Sequence, residues 1–226
     1  MFSKGFMQKI LIISIPIITI LLIRSKYFKF ILQPLNTLVH EFSHALTALL
    51  LGQKVKSINI NTDGSGSCTT KSKSKIKSFF ISFVGYVFPS LLGYFIIYQI
   101  DNLHINLVLY VLIILSLIAM VLYIRNSFGI SWIVSFCLIN IVLLFIPNTL
   151  SLQKLILYFY ACILLIENFR STLSLLHINL LSSKKAGDSY NLQKITHIPA
   201  LFFTLFYNIF TLFMILKSLS IIKGYF

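Results

Sequence analysis

Residues 30–51 read FILQPLNTLVHEFSHALTALLL. A helix needs about 20 mostly apolar residues to cross a bilayer, and this stretch has that length. It nevertheless holds His40, Glu41 and His44 at and just past its midpoint. Ionisable side chains inside a membrane span are costly, so they are kept for function or for partnered interior positions. His40 and His44 are four residues apart, which on a helix puts both imidazoles on one face, one turn from each other. The stretch therefore reads as a membrane helix with one chemically active face, and the rest of the chain can be tested against that reading.

The composition agrees. The chain has 226 residues, of which 58% are hydrophobic and 11% charged. A soluble domain carries about 25% charged residues, so this chain has too few to clothe a soluble surface. The net charge is +14, from 19 basic and five acidic residues. Such an excess can signal nucleic acid. Here the basic residues sit between apolar blocks, the arrangement of a membrane protein's loops, and no nucleic-acid partner is expected.

The apolar blocks are Ile10–Ile23, Phe30–Leu51, Phe79–Ile100, Leu107–Ile124, Ile130–Ile146, Leu155–Leu181 and Pro199–Leu216. They predict an all-α membrane protein with six or seven transmembrane helices, forming a single domain over residues 1–226. The first block follows Lys4 and Lys9 like a signal peptide, but no small-residue cleavage site follows it, so it reads as a retained span. With the N-terminus cytoplasmic, twelve basic residues fall on the cytoplasmic side and six on the other, as the positive-inside rule favours. A multi-pass protein of a bacterial cell membrane is the expected setting, with the lipid bilayer as its first partner.

One segment breaks the helical pattern. Ile58 and Ile60 alternate with Asn59 and Asn61, Asp63-Gly64 offers a tight turn, and Ser67 to Thr70 can return. This predicts a short cytoplasmic β-hairpin directly after the helix that carries the histidines. The three cysteines, Cys68, Cys137 and Cys162, have no metal-site spacing and read as small hydrophobes.

The chemistry implied by His40-Glu41-Phe42-Ser43-His44 is specific. Two imidazoles one turn apart can chelate one zinc ion at about 2.0–2.1 Å each. Glu41 beside them can take a proton from an attacking water and pass it to a leaving amine. With five histidines and two glutamates in the chain, an HExxH pattern arises by chance about once in a thousand such sequences.

Thr37 to Leu46, followed by Leu51-Gly52, resembles the opening of the M50 intramembrane metalloproteases, the site-2 protease family, and within it the M50B-like branch. Gly64-Ser65-Gly66 in the hairpin agrees, as do Gly85-Tyr86, Pro89 and Gly93 in the third block. Gly187-Asp188-Ser189-Tyr190-Asn191-Leu192, then Thr196 and Ile198-Pro199, is similar to a late family segment around an aspartate. There are departures. The Asn-Pro…Leu-Asp-Gly motif that carries the third ligand in site-2 proteases is missing, Ser43 stands where glycine is usual, and Gly187 and Ser189 replace Ser and Ala.

The resemblance implies a zinc-dependent endopeptidase acting on a membrane-embedded protein or peptide, with Glu41 as general base. Its polar cavity should open to the cytoplasmic side. A catalytic zinc site commonly takes three protein ligands. Beside His40 and His44, Asp188 is the first candidate, because the family-like segment surrounds it and aspartate is the family's third ligand type. Its ordinary alternative is a helix N-cap. Glu167, inside a span, is the second candidate, although Arg170 three residues on can pair with it. Asp63, Asp101, His104, His177 and His197 lie at a turn tip or at span ends and are weaker candidates. Asn140 and Asn168 read as bonds between helices. A non-catalytic reading, as a pseudoprotease regulator or a transporter subunit, remains the alternative. A transporter would show repeat symmetry or paired broken helices, and the sequence has neither.

Overall fold

The computed structural model describes residues 4–147 and 149–223, with side chains from 13 to 222 apart from position 148. Each of the seven apolar blocks forms a long helix: α1 (Lys4–Arg24), α2 (Lys26–Leu50), α3 (Lys75–Asp101), α4 (Ile105–Leu122), α5 (Ser127–Phe145), α6 (Leu150–Leu181) and α8 (Ala200–Lys223). Between α6 and α8 the chain makes a 3-10 turn and a short helix, α7 (Gly187–Thr196). α3, α4, α5, α6 and α8 are long and apolar enough to cross a membrane, and the chain is a multi-pass membrane protein.

α2 is the hub. It packs against α1, α3, α5, α6 and both strands of the hairpin. This explains how it tolerates its polar residues: Gln33, Asn36, Thr37, Glu41, Ser43 and His44 are all buried by neighbouring elements instead of facing lipid. Its apolar residues divide between two cores. Leu35 and Val39 join α3, α4 and α6, while Leu38, Phe42 and Ala45 join the hairpin, α4 and α5.

The expected hairpin is present as β1 (Lys54–Ile60) and β2 (Gly66–Lys71), antiparallel, with Ile58 opposite Cys68 and Ile60 opposite Gly66. It folds back along α2 and is more than a plain turn. Thr37 Oγ1 donates to Gly64 O at 2.7 Å, which docks the tip on the helix. Ile58 and Ile60 are fully buried. Backbone buried in this way must have its polar groups satisfied. On the outer edge of β1, the Ile58 amide donates to Tyr123 O at 2.9 Å. The Ile60 amide donates to Asn126 Oδ1 at 3.1 Å, and Asn126 Nδ2 returns a bond to Ile60 O at 2.5 Å. The turn between α4 and α5 thus closes one edge of the sheet.

A side chain also bonds the backbone beside the proline of α3. Pro89 has no N–H to offer the preceding turn. Asn168 of α6 reaches in, donating from Nδ2 to Tyr86 O and to Ser90 Oγ, both at 2.8 Å. Asn168 bonds between helices as its sequence position predicts, and Asn140, whose amide donates to Phe136 O on its own helix, also bonds Tyr160 of α6.

Replacing Asn126 with Ala strips two buried backbone groups of their partner. Unfolding in detergent should show a loss of about 1–3 kcal/mol, with hydrogen exchange rising first at Ile58 and Ile60.

Candidate metal centre

The two histidines of α2 and one carboxylate of α7 converge. His40 Nε2 and His44 Nε2 lie 3.2 Å apart. Asp188 Oδ2 lies 3.3 Å from the first and 3.2 Å from the second. Three donors held on a tetrahedral ion by bonds of about 2.0–2.1 Å would stand about 3.3–3.4 Å from one another, so this triangle fits zinc. Among the described residues these three form the only cluster able to hold a metal ion.

Each ligand candidate is oriented by its surroundings. His44 Nδ1 lies 2.6 Å from Ile81 O. A carbonyl only accepts, so Nδ1 carries a proton, which leaves Nε2 as the nitrogen turned to the triangle. The His40 ring stands edge-on to Tyr86, with centroids 4.5 Å apart. Gly85 makes this packing possible. A Cβ there would lie 2.6 Å from His44 Cε1 and 2.7 Å from His40 Cε1, so any side chain would displace both rings.

Asp188 is placed by α7. Gly187, with φ +46°, turns the chain from the 3-10 segment into the helix. Leu192 is fully buried among Leu175, Phe203 and Tyr207. Ser189 is fully buried too, and accepts from Thr204 Oγ1 of α8 at 3.0 Å. The N-cap alternative does not apply, because the cap position is Ala186 and no side chain bonds there. Burial pushes the Asp188 carboxyl up, but the His44 and His40 imidazoles outweigh it and hold the group well below the usual carboxylate range.

Glu41 is buried on the neighbouring face of α2 and feels the charges of both histidines and Asp188. The Cys68 backbone N–H donates to it. The three side chains and Glu41 open onto a cleft of about 460 Å³, bordered by β2, α3, the end of α6 and α7.

Glu167, the second ligand candidate, is held elsewhere. Gln33 Nε2 donates to its Oε1 at 2.6 Å, Arg170 Nε donates to its Oε2 at 2.8 Å, and Arg170 Nη2 completes the pair. A buried carboxylate with three donors is satisfied without a metal, and the pairing with Arg170 accounts for it. His177 and His197 are exposed, His104 bonds Gln99, and Asp63 bonds Ser65, all away from the triangle. Asp101 is exposed at the far end of α3.

Sequence reasoning underrated two positions. Cys68 lines the cleft on β2, with its thiol pushed up to about 12 by burial and by the Glu41 and Asp188 charges. Asn36 lines it from α2. Nothing in the local pattern marks either, since it takes the fold to bring them to the histidines.

With this geometry in view, the comparisons with known proteins are informative. The Peptidase M50B-like family profile matches residues 12–218, and the chain belongs to that family of membrane metalloprotease-like proteins. No curated protein and no solved structure gives a match.

Two variants separate the assignments. Gly85→Ala should lower zinc affinity by about 10–100-fold, the range seen when groups that orient ligands are disturbed. Glu167→Gln should retain the wild-type zinc content while lowering thermal stability. Metal analysis of the purified proteins, with a thermal melt of each, reads both.

Proposed function

We propose that the protein is a zinc-dependent intramembrane endopeptidase. The observation that carries this reading is the His40–His44–Asp188 triangle with Glu41 beside it, set in a cleft within the helical bundle. His44 lies about 9 Å along the axis from the end of α2 at Leu50, taking 1.5 Å per residue. That is deep enough to meet a peptide bond inside the bilayer margin and near enough to the end for water to reach it.

His40 Nε2, His44 Nε2 and Asp188 Oδ2 would hold the zinc. A bound zinc ion supplies Lewis acidity, polarising a carbonyl and acidifying water. The chain supplies the rest. Glu41, steadied by the Cys68 amide, takes the proton of the attacking water and delivers it to the nitrogen of the departing amine. The Ile81 carbonyl keeps the His44 proton on Nδ1, so its other nitrogen stays available. The substrate must present an unwound backbone, since a helical peptide bond is hydrogen-bonded and shielded.

The outer edge of β2 supports such a substrate. In the antiparallel register, Ile58 and Ile60 turn their amides away from β2, toward Tyr123 and Asn126. Their partners Cys68 and Gly66 therefore turn theirs outward on the other side, toward α2 and the cleft. The Cys68 amide is taken by Glu41, so an extended peptide would add to the rest of this edge by main-chain bonds.

Glu41→Gln should keep stoichiometric zinc and lose cleavage of a membrane peptide by about 10²–10⁴-fold or more. Asp188→Ala and His44→Ala should lose both the metal and the activity. Wild-type rates in zinc-loaded Glu41→Gln would defeat the protease reading.

A further inference from the structure

Three buried asparagine carbonyls lack a hydrogen-bond partner among the described residues: those of Asn36, Asn140 and Asn168. An unpaired buried amide costs stability, so each calls for a reason. Asn140 and Asn168 have one. Each uses its Nδ2 in a bond to a helix carbonyl, at 2.7 and 2.8 Å. Asn36 does not. Neither its Oδ1 nor its Nδ2 is bonded to any described residue, although the residue is only 6% exposed. It is also the only one of the three that lines the cleft beside the metal triangle.

Its place on α2 gives the amide a direction. Asn36 is one turn before His40, about 6 Å along the axis. At about 100° per residue it lies some 40° to one side of His40, while Glu41 lies about 100° to the other side. The hairpin covers the Glu41 side: a Cβ on Gly66 would lie 2.8 Å from Glu41 Cγ. Asn36 lines the cleft from α2, and Ser171 of α6 and Asn191 of α7 line it as well. A chain crossing the triangle would have the β2 edge on one flank and the Asn36 amide on the other.

We infer that Asn36 is a substrate-binding residue that grips the main chain of an extended peptide about two residues from the bond to be cut. This rests on the endopeptidase reading. Two residues of extended chain span about 6.6 Å, close to the axial offset between Asn36 and His40. A side-chain amide matches a peptide group on both sides: Oδ1 accepts the peptide N–H, and Nδ2 donates to a peptide C=O. Recognition of this kind is blind to substrate side chains and selects for backbone freed from its own helix.

The test uses full-length zinc-loaded protein in detergent and a fluorescent peptide hydroxamate of Leu and Ala residues. The hydroxamate anchors at the metal and fixes the register. A companion ligand carries an ester in place of the amide about two residues from the anchor. Wild type should bind the ester about tenfold more weakly than the amide. Asn36→Leu should bind the amide about tenfold more weakly than wild type does and show no further loss with the ester. Asn36→Asp, which keeps the acceptor and the shape, should retain zinc and fall between the two. Because an unpaired buried polar group is removed, Asn36→Leu should melt at or above the wild-type temperature, which a merely structural asparagine would not allow. An equal ester penalty in wild type and Asn36→Leu overturns the inference, as does unweakened binding of the amide by Asn36→Leu. The two readings fail separately. Cleavage by wild type with no dependence on Asn36 sinks this inference alone. Asn36-dependent binding without turnover sinks the protease reading alone.

Discussion

The closeness of α3 to α2 at Gly85 is the constraint on which the site depends. Two imidazoles one turn apart need room to turn both Nε2 atoms to one point. A Cβ at Gly85 would lie under 3 Å from atoms of both rings. With glycine there, α3 supplies the Ile81 carbonyl to one ring and the Tyr86 ring to the other. The helix that crowds the metal site therefore also orients it. α3, the hairpin and α6 together bury the α2 polar face, and that burial is what lets a helix with so many polar residues stand at the centre of a membrane bundle.

The third side of the triangle comes from a segment that is not a span, and it has to be moored. A ladder of polar side chains along α6 and α8 does this. Thr204 bonds Ser189, next to Asp188, and receives a bond from Asn179. Asn208 ties Thr204 O to Thr172 O, at 2.8 and 3.0 Å. Further along, Asn168, Ser90 and Thr211 join α6, α3 and α8. Each such bond between membrane helices contributes about 0.6–2 kcal/mol. Their joint effect is to fix the register of α7 against the bundle, so that a residue 144 positions from His44 in the sequence meets it within 3.2 Å.

Much of this was legible beforehand because its signals are local. Span positions follow from apolar length, the hairpin from the alternation at Ile58 and Ile60, and the paired histidines from a spacing of four. The third ligand was less so. Asp188 and Glu167 are both carboxylates in plausible places, and only three-dimensional distance separates them. Gln33 is why: it donates to Glu167 from a helix 134 residues earlier, a link with no local trace. Asn126 closing the β1 edge and Asn36 standing free in the cleft are likewise products of packing. A single asparagine reads the same in sequence whether it is bonded or not.

Under the protease reading, the size of the cleft sets a condition on the substrate. A helix with its side chains is about 10–12 Å across and rises 5.4 Å per turn, so one turn fills about 400–600 Å³. The cleft holds about 460 Å³. For a protease of this shape, a transmembrane helix of many turns is too long to be taken in whole. A segment is admitted only as far as it has already come apart, so its rate of processing would track the free energy of its local opening. Such an enzyme would sort its clients by mechanical softness, sparing rigid anchors in the same bilayer and drawing in those with a weak turn.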